Sequence, residues 1–145
     1  MSREDFWFFH PFRVRYSEID GQGVVFNAHY LTYFDTAITD YMRALPYKYG
    51  IGGDTAAGTD FHLVKSTVEY KAPIRFDQEI EVGVRTGKLG RTSIVFALAI
   101  FPKGGDALLS TGEIIWVNTD LKAHKSAPLP ETLVAAVKKR EAVPV

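Results

Sequence analysis

The stretch Asn27-Ala-His-Tyr-Leu-Thr-Tyr-Phe-Asp-Thr-Ala-Ile-Thr-Asp-Tyr-Met-Arg-Ala-Leu45 decides the fold. Tyr30, Phe34, Ala37 or Ile38, Tyr41 and Leu45 recur at steps of three or four, the spacing of one helical face. Leu31, Tyr33 and Met42 widen that face beyond a surface stripe, so the helix predicted over residues 28–45 has to be wrapped by other structure. Asn27 is a favoured N-cap residue at its start, and Leu45-Pro46 is a stop signal.

Working outward, the period changes. Upstream, Phe12-Arg-Val-Arg-Tyr16 alternates apolar and basic residues and reads as a half-exposed strand. Residues 46–60 carry four glycines and little periodicity, and read as a mobile loop. Beyond it Val64, Ser66, Val68 and Tyr70 alternate with Lys65, Thr67, Glu69 and Lys71, until Pro73 ends the strand. Ile80, Val82 and Val84 alternate with Glu79, Glu81 and Arg85. Gly87-Lys-Leu-Gly90 reads as the turn into residues 92–101, a run apolar on both faces and therefore a central strand. Residues 107–118 form a fourth long strand, and residues 129–140 a short terminal helix. One buried helix followed by consecutive antiparallel strands is an α+β pattern, with the sheet curved around the helix. No internal repeat or linker interrupts it, so residues 1–145 read as a single domain.

Composition narrows the function classes. Seventeen basic residues balance seventeen acidic ones, unlike the strongly basic domains of nucleic-acid binders. Zero cysteine removes disulfides, thiolate nucleophiles and Cys-ligated zinc, and the four histidines show no ligand spacing for a metal. No apolar run reaches the roughly 18 residues of a membrane span, and the first ten residues lack the order of a signal peptide. The expectation is a cytoplasmic protein with no metal, no cofactor, no nucleic acid and no membrane partner. The charge is unevenly distributed: residues 1–60 hold a surplus of carboxylates and residues 61–104 a surplus of cations.

Chemistry is best placed in Asp20-Gly-Gln-Gly-Val-Val-Phe-Asn-Ala-His-Tyr30. Glycines admit a ligand close to the backbone. A helix start offers unpaired N–H groups and a positive dipole end, suited to a carbonyl oxygen gaining negative charge. With Asp20 nearby, that is enough to hydrolyse an activated acyl group. An Asp-Gly pair that merely shapes a turn is the competing reading.

Tyr16-Ser-Glu-Ile-Asp20-Gly-Gln-Gly23-Val-Val-Phe-Asn27-Ala-His-Tyr30-Leu-Thr-Tyr-Phe-Asp35 resembles the signature of hotdog-fold acyl-CoA thioesterases of the 4-hydroxybenzoyl-CoA thioesterase type. Val68-Glu-Tyr-Lys-Ala-Pro73, Gly90-Arg-Thr-Ser93 and Thr111-Gly-Glu-Ile-Ile-Trp-Val117 look like strands of the same family. The resemblance implies a long helix wrapped by an antiparallel sheet. It also implies Asp20 as nucleophile or general base, and the backbone N–H of Asn27 as donor to the thioester oxygen. Many relatives carry His or Tyr at position 27, so the Asn side chain offers neither proton shuttle nor aromatic contact. Gly23 matches the loop glycine that lets substrate approach, and Tyr30 a recurrent aromatic of the core. The implied partner is an acyl-CoA, in a homo-oligomer (dimer or tetramer) with sites at subunit contacts.

Lys88 and Arg91 flank the predicted turn and are the candidates for binding the phosphates of coenzyme A, against the alternative of solvated turn charges. His29 reads as a surface residue of the capping turn, about 100° around the helix from Tyr30. Glu18 reads as a solvated neighbour of Asp20, and Asp35 as a buried polar, dimer-contact or catalytic group. The aromatic run Phe6 to Phe9 covers a sheet edge or a neighbouring subunit. Two other functions fit the resemblance less fully: a hydroxyacyl-thioester dehydratase using His29, and a non-catalytic acyl-CoA-binding module.

Overall fold

The structure is a computed structural model that describes residues 1–45, 47 and 58–141. Most of the loop predicted over residues 46–60 lies outside them. Helix α1 spans His29–Ala44, and Tyr30, Tyr33, Phe34, Ala37, Ile38, Tyr41 and Met42 are buried along it. The strands are β1 (Phe8–Arg13), β2 (Thr59–Tyr70), β3 (Glu79–Leu89), β4 (Ser93–Pro102), β5 (Ser110–Asp120) and the two-residue β6 (Lys125–Ser126). They form one sheet in the order β1-β3-β4-β5-β2, with β6 beside β5 and every pair antiparallel. Helix α2 spans Glu131–Arg140. The arrangement is the expected α+β hotdog, with α1 packed against a curled sheet.

Several boundaries differ from the sequence reading. The first strand lies at Phe8–Arg13, not 12–16, because Phe8, Phe9 and Phe12 pair across to Val84, Gly83 and Ile80. The aromatic run therefore forms the sheet edge itself. Phe6 and Phe9 meet Phe101 on the face of β4 turned away from the main core, and the Arg3 guanidinium lies over the Phe9 and Phe101 rings at 4.8 and 5.0 Å. That cover explains why β4 is apolar on both faces. Gly87 is not a turn residue: β3 continues to Leu89, and Gly87 is skipped in the register between Thr86 and Lys88, as in a β-bulge. The turn is confined to residues 90–92, so Lys88 sits within the strand. The last long strand begins at Ser110 and α2 at Glu131, later than the apolar runs suggested.

Strand β2 is an edge. Ser66 and Val68 are half-buried while Lys65, Thr67 and Glu69 are exposed, as the alternation predicts. Val64 and Tyr70 depart from it, Val64 because the register shifts between Leu63 and Lys65 and Tyr70 because it stands at the end of the strand.

The tightest fit between helix and sheet is at Phe34 and Gly112. A Cβ on Gly112 would lie 2.3 Å from Phe34 Cε2, so only glycine lets this fully buried ring rest against β5. Gly112→Ala is therefore expected to destabilise the protein by about 1–3 kcal/mol in chemical denaturation, the range for an overpacked core. Phe34→Leu in the same chain should recover part of that loss.

Candidate functional site

From β1 the chain passes buried Val14, whose N–H donates to Gln78 O at 2.9 Å, into a 3₁₀ turn at Tyr16–Glu18. A narrow hairpin follows. Asp20 N–H donates to Val24 O at 2.8 Å, Gly23 N–H to Asp20 O at 3.0 Å and Phe26 N–H to Glu18 O at 2.9 Å. Ile19 and Val25 pair between them. Residues 74–76 pin its outer side, with Val25 N–H on Ile74 O at 2.8 Å and Phe76 N–H on Gly23 O at 3.0 Å. Gly23 has φ 76°, a left-handed conformation that favours glycine, and nothing lies within 4 Å of where its Cβ would be. The loop is thus both tightly held and open on that side.

Asp20 is half-buried at the hairpin tip. Its Oδ1 accepts the Gln22 N–H at 2.8 Å, an Asx-turn, and no other described group bonds its carboxylate. Three residues beyond the hairpin, α1 begins. His29 N–H donates to Phe26 O and Tyr30 N–H to Asn27 O, leaving the amides of Asn27 and Ala28 without a backbone acceptor among the described residues. Asn27 does not cap through its side chain, contrary to the sequence reading. Ala28 occupies the cap position with helical dihedrals, so Asn27 stands one residue too early. Tyr70 O–H donates to Asn27 O at 3.3 Å, and its ring meets Tyr30 at 4.7 Å.

Glu18 overturns its expected solvated role. It is 5% exposed. Oε1 accepts the Arg15 N–H at 2.7 Å and the Tyr33 O–H at 3.0 Å, while Oε2 accepts the Arg15 Nε at 3.0 Å and Nη2 at 2.5 Å. Burial pushes its carboxyl up, but the hydrogen bonds from Arg15 and Tyr33 outweigh that and hold it below the usual glutamate value. Burial, with the Glu18 charge beside it, pushes the Tyr33 phenol well up. No periodicity could reveal this cluster, because Arg15, Glu18 and Tyr33 belong to three different local patterns.

The remaining predicted residues fall apart in space. Gly23, Asp20 and Asn27 share one loop. Lys88 and Arg91 lie at the far end of β3, nine and more strand residues from Glu79, or about 30 Å. Both are exposed, and neither forms an ion pair among the described residues. Within one chain they are not part of the Asp20 loop. Asp35 is not buried; it is exposed on α1, with enough protein around it to raise its carboxyl. His29 is half-buried at the first position of α1, its ring 6.1 Å from Phe26, with no carboxylate partner among the described residues. The histidine–carboxylate pair that does form is His10 Nδ1 with Asp40 Oδ2 at 3.2 Å, joining β1 to α1 beside a cavity of about 90 Å³. A larger cavity, about 480 Å³, lies near Trp7, Thr86 and Glu141, away from Asp20.

A long helix packed against a curled antiparallel sheet is the architecture of the hotdog class of proteins. Comparison with known proteins agrees. A family model described as the thioesterase superfamily matches residues 22–109. The acyl-CoA thioester hydrolase YbgC of Escherichia coli O157:H7 is 32% identical over 128 residues, 88% of this chain and 93% of that protein. The PA5185 protein of Pseudomonas aeruginosa superposes with a TM-score of 0.86 at 28% identity, covering 97% of this chain and 96% of the other. Slr0204 of Synechocystis, a 1,4-dihydroxy-2-naphthoyl-CoA thioesterase, shares the fold with a TM-score of 0.84 at 18% identity, covering 93% and 98%. The chain belongs to the thioesterase superfamily.

The Glu18 cluster gives the fold a defined acid sensitivity. A glutamate whose folded value is depressed stabilises the protein fully above its unfolded value and loses that contribution as pH falls through the folded one. Folding stability measured by denaturant titration should therefore decline below pH 4.5, the ordinary glutamate value. In Glu18→Gln the decline over that window should be shallower.

Proposed function

We propose that the protein hydrolyses acyl-CoA thioesters to a free acid and CoA at the Asp20–Asn27 loop. The carrying observation is that one hairpin and helix start hold a carboxylate with one oxygen uncommitted, and amides without an acceptor, among the described residues. Asp20 acts either as general base or as nucleophile. As base it takes a proton from water attacking the thioester carbon. As nucleophile it forms an anhydride that water then opens. In both routes the C–S bond breaks and the Asn27 N–H receives the developing oxyanion; the departing thiolate takes its proton from protonated Asp20 in the base route and from solvent in the nucleophilic route. The reaction as proposed draws on no metal and no cofactor. The likeness to YbgC supports an acyl-CoA substrate, and the absence of cysteine fits a cytoplasmic setting.

The protein works as a homo-oligomer in this reading. Strand β2, paired on one side among the described residues, supports it: twelve residues long, it carries Leu63, Val64 and Tyr70 exposed at 54, 59 and 55%. A long apolar edge pairs readily with a second copy. Lys88 and Arg91 remain the proposed phosphate contacts only if a neighbouring subunit's loop comes to them. The dehydratase alternative finds no support in the described residues, since His29 lacks an acidic partner.

Incubation with aromatic, short-chain and long-chain acyl-CoAs should release free thiol for at least one class. Asp20→Asn should lower kcat about a hundredfold or more. Asn27→Ala should keep kcat within about threefold, whereas Asn27→Pro, which deletes the N–H, should lower it about a hundredfold. Tight CoA binding without turnover would instead identify a binding module. Light scattering should report a dimer or larger, and Val64→Lys should shift it toward monomer.

A further inference from the structure

We infer that Glu18 is the positioning residue that holds the Asp20 loop in register with the start of α1. This inference rests on the proposed thioesterase reading. Glu18 lies two residues before Asp20, and its carbonyl accepts the Phe26 N–H one residue before Asn27. Its backbone thus touches both arms of the hairpin that separates the carboxylate from the helix amides. Its carboxylate ties back to the Arg15 backbone and guanidinium at the start of its own 3₁₀ turn and reaches one further element, α1, at the Tyr33 hydroxyl. Tyr33 is anchored in turn, being 2% exposed with its ring 4.5 Å from Phe12 of β1. The backbone hydrogen bonds of the 74–76 segment go to the Gly23–Val25 arm, and toward the other arm it offers the Phe76 ring, edge-on to Tyr16 at 5.8 Å. On the Asp20 arm Ile19 packs against the core, and Glu18 supplies the hydrogen bond that ties the arm to α1, through the Tyr33 hydroxyl.

The two oxygens have different tasks. Oε1 holds the Arg15 amide and Tyr33, the groups that set loop against helix, while Oε2 engages only the Arg15 side chain. A glutamine can keep the first set and loses the second. Alanine loses both. A misplacement of about 1 Å between a catalytic group and an oxyanion donor costs as much as a hundredfold in rate. Loss of positioning therefore falls on kcat, because substrate binding does not require the carboxylate and the amides to stay aligned.

The test compares Glu18→Ala, Glu18→Gln and Tyr33→Phe in steady-state hydrolysis and in amide hydrogen exchange. Glu18→Ala should lower kcat about a hundredfold with KM within about twofold, and Glu18→Gln should recover to within about tenfold of the native chain. Tyr33→Phe should lower kcat less than Glu18→Ala, and the Tyr33→Phe, Glu18→Ala double variant should match Glu18→Ala alone. Exchange should quicken at Asp20 and Phe26 in Glu18→Ala while Leu98 and Ile100 of β4 keep native protection. Native kcat in Glu18→Ala, or a rise in KM alone, would overturn the inference. Equal loss in the Gln and Ala variants with protection falling throughout β4 would show a merely structural role. If the native chain turns over no acyl-CoA, the thioesterase reading fails by itself, and unchanged exchange at Asp20 and Phe26 in Glu18→Ala still overturns the positioning role.

Discussion

Everything in this molecule depends on burying a helix that is aromatic around much of its circumference. Tyr33, Phe34 and Tyr41 are large side chains with almost no exposed surface, and a flat layer could not cover them together. The sheet covers them by curling, and it comes close enough only where side chains are removed, as at Gly112 beneath the Phe34 ring. Close packing of this kind tolerates little adjustment, so the position of α1 against β5 is set to within a fraction of an ångström. The start of the helix inherits that precision, and with it the amides at Asn27 and Ala28.

The polar groups drawn into this core have specific partners. Tyr41 reaches Thr86 Oγ1 at 2.7 Å and the Glu141 carboxylate. Burial raises both the Tyr41 phenol and the Glu141 carboxyl, shifting each toward its protonated form. Glu18 and Tyr33 behave differently at the other end of α1. There Arg15 supplies a counter-charge and the carboxylate stays ionised. The same two residue types thus meet twice along one helix, and the presence of a guanidinium decides which way the acid shifts.

Much of the fold was legible because it follows from periodicity. The α1 face was given by steps of three and four, and the strand order by runs of period two. The errors lie where a tertiary partner overrides the local pattern. β1 begins earlier because the phenylalanines pair with β3, and Gly87 stays in its strand because a bulge absorbs it. The candidate site was legible in part for a different reason. Asp20, Gly23 and Asn27 lie within eight residues of one another, so a motif could present them together. Glu18 was misread as solvated because its environment is made by Tyr33, fifteen residues away on the helix. Lys88 and Arg91 were chosen for their charge beside the predicted turn, and the sequence does not report that this turn lies at the end of β3 far from the Asp20 loop.

The contacts of Glu141 carry a consequence for synthesis. The carboxylate bonds Tyr41, one hundred positions earlier, and the Thr86 amide, fifty-five positions earlier. A chain made from its N-terminus will have long since produced α1 and β3 when residue 141 leaves the ribosome. Until then, among the described residues, Thr86 is the partner left to the Tyr41 hydroxyl, and the Thr86 amide lacks its carboxylate acceptor. The earlier strands can pair and enclose the helix as they emerge, but this corner of the core closes only when the last turn of α2 arrives. The thioesterase is therefore completed at one end, beside the Asp20 loop, well before it is sealed at the other.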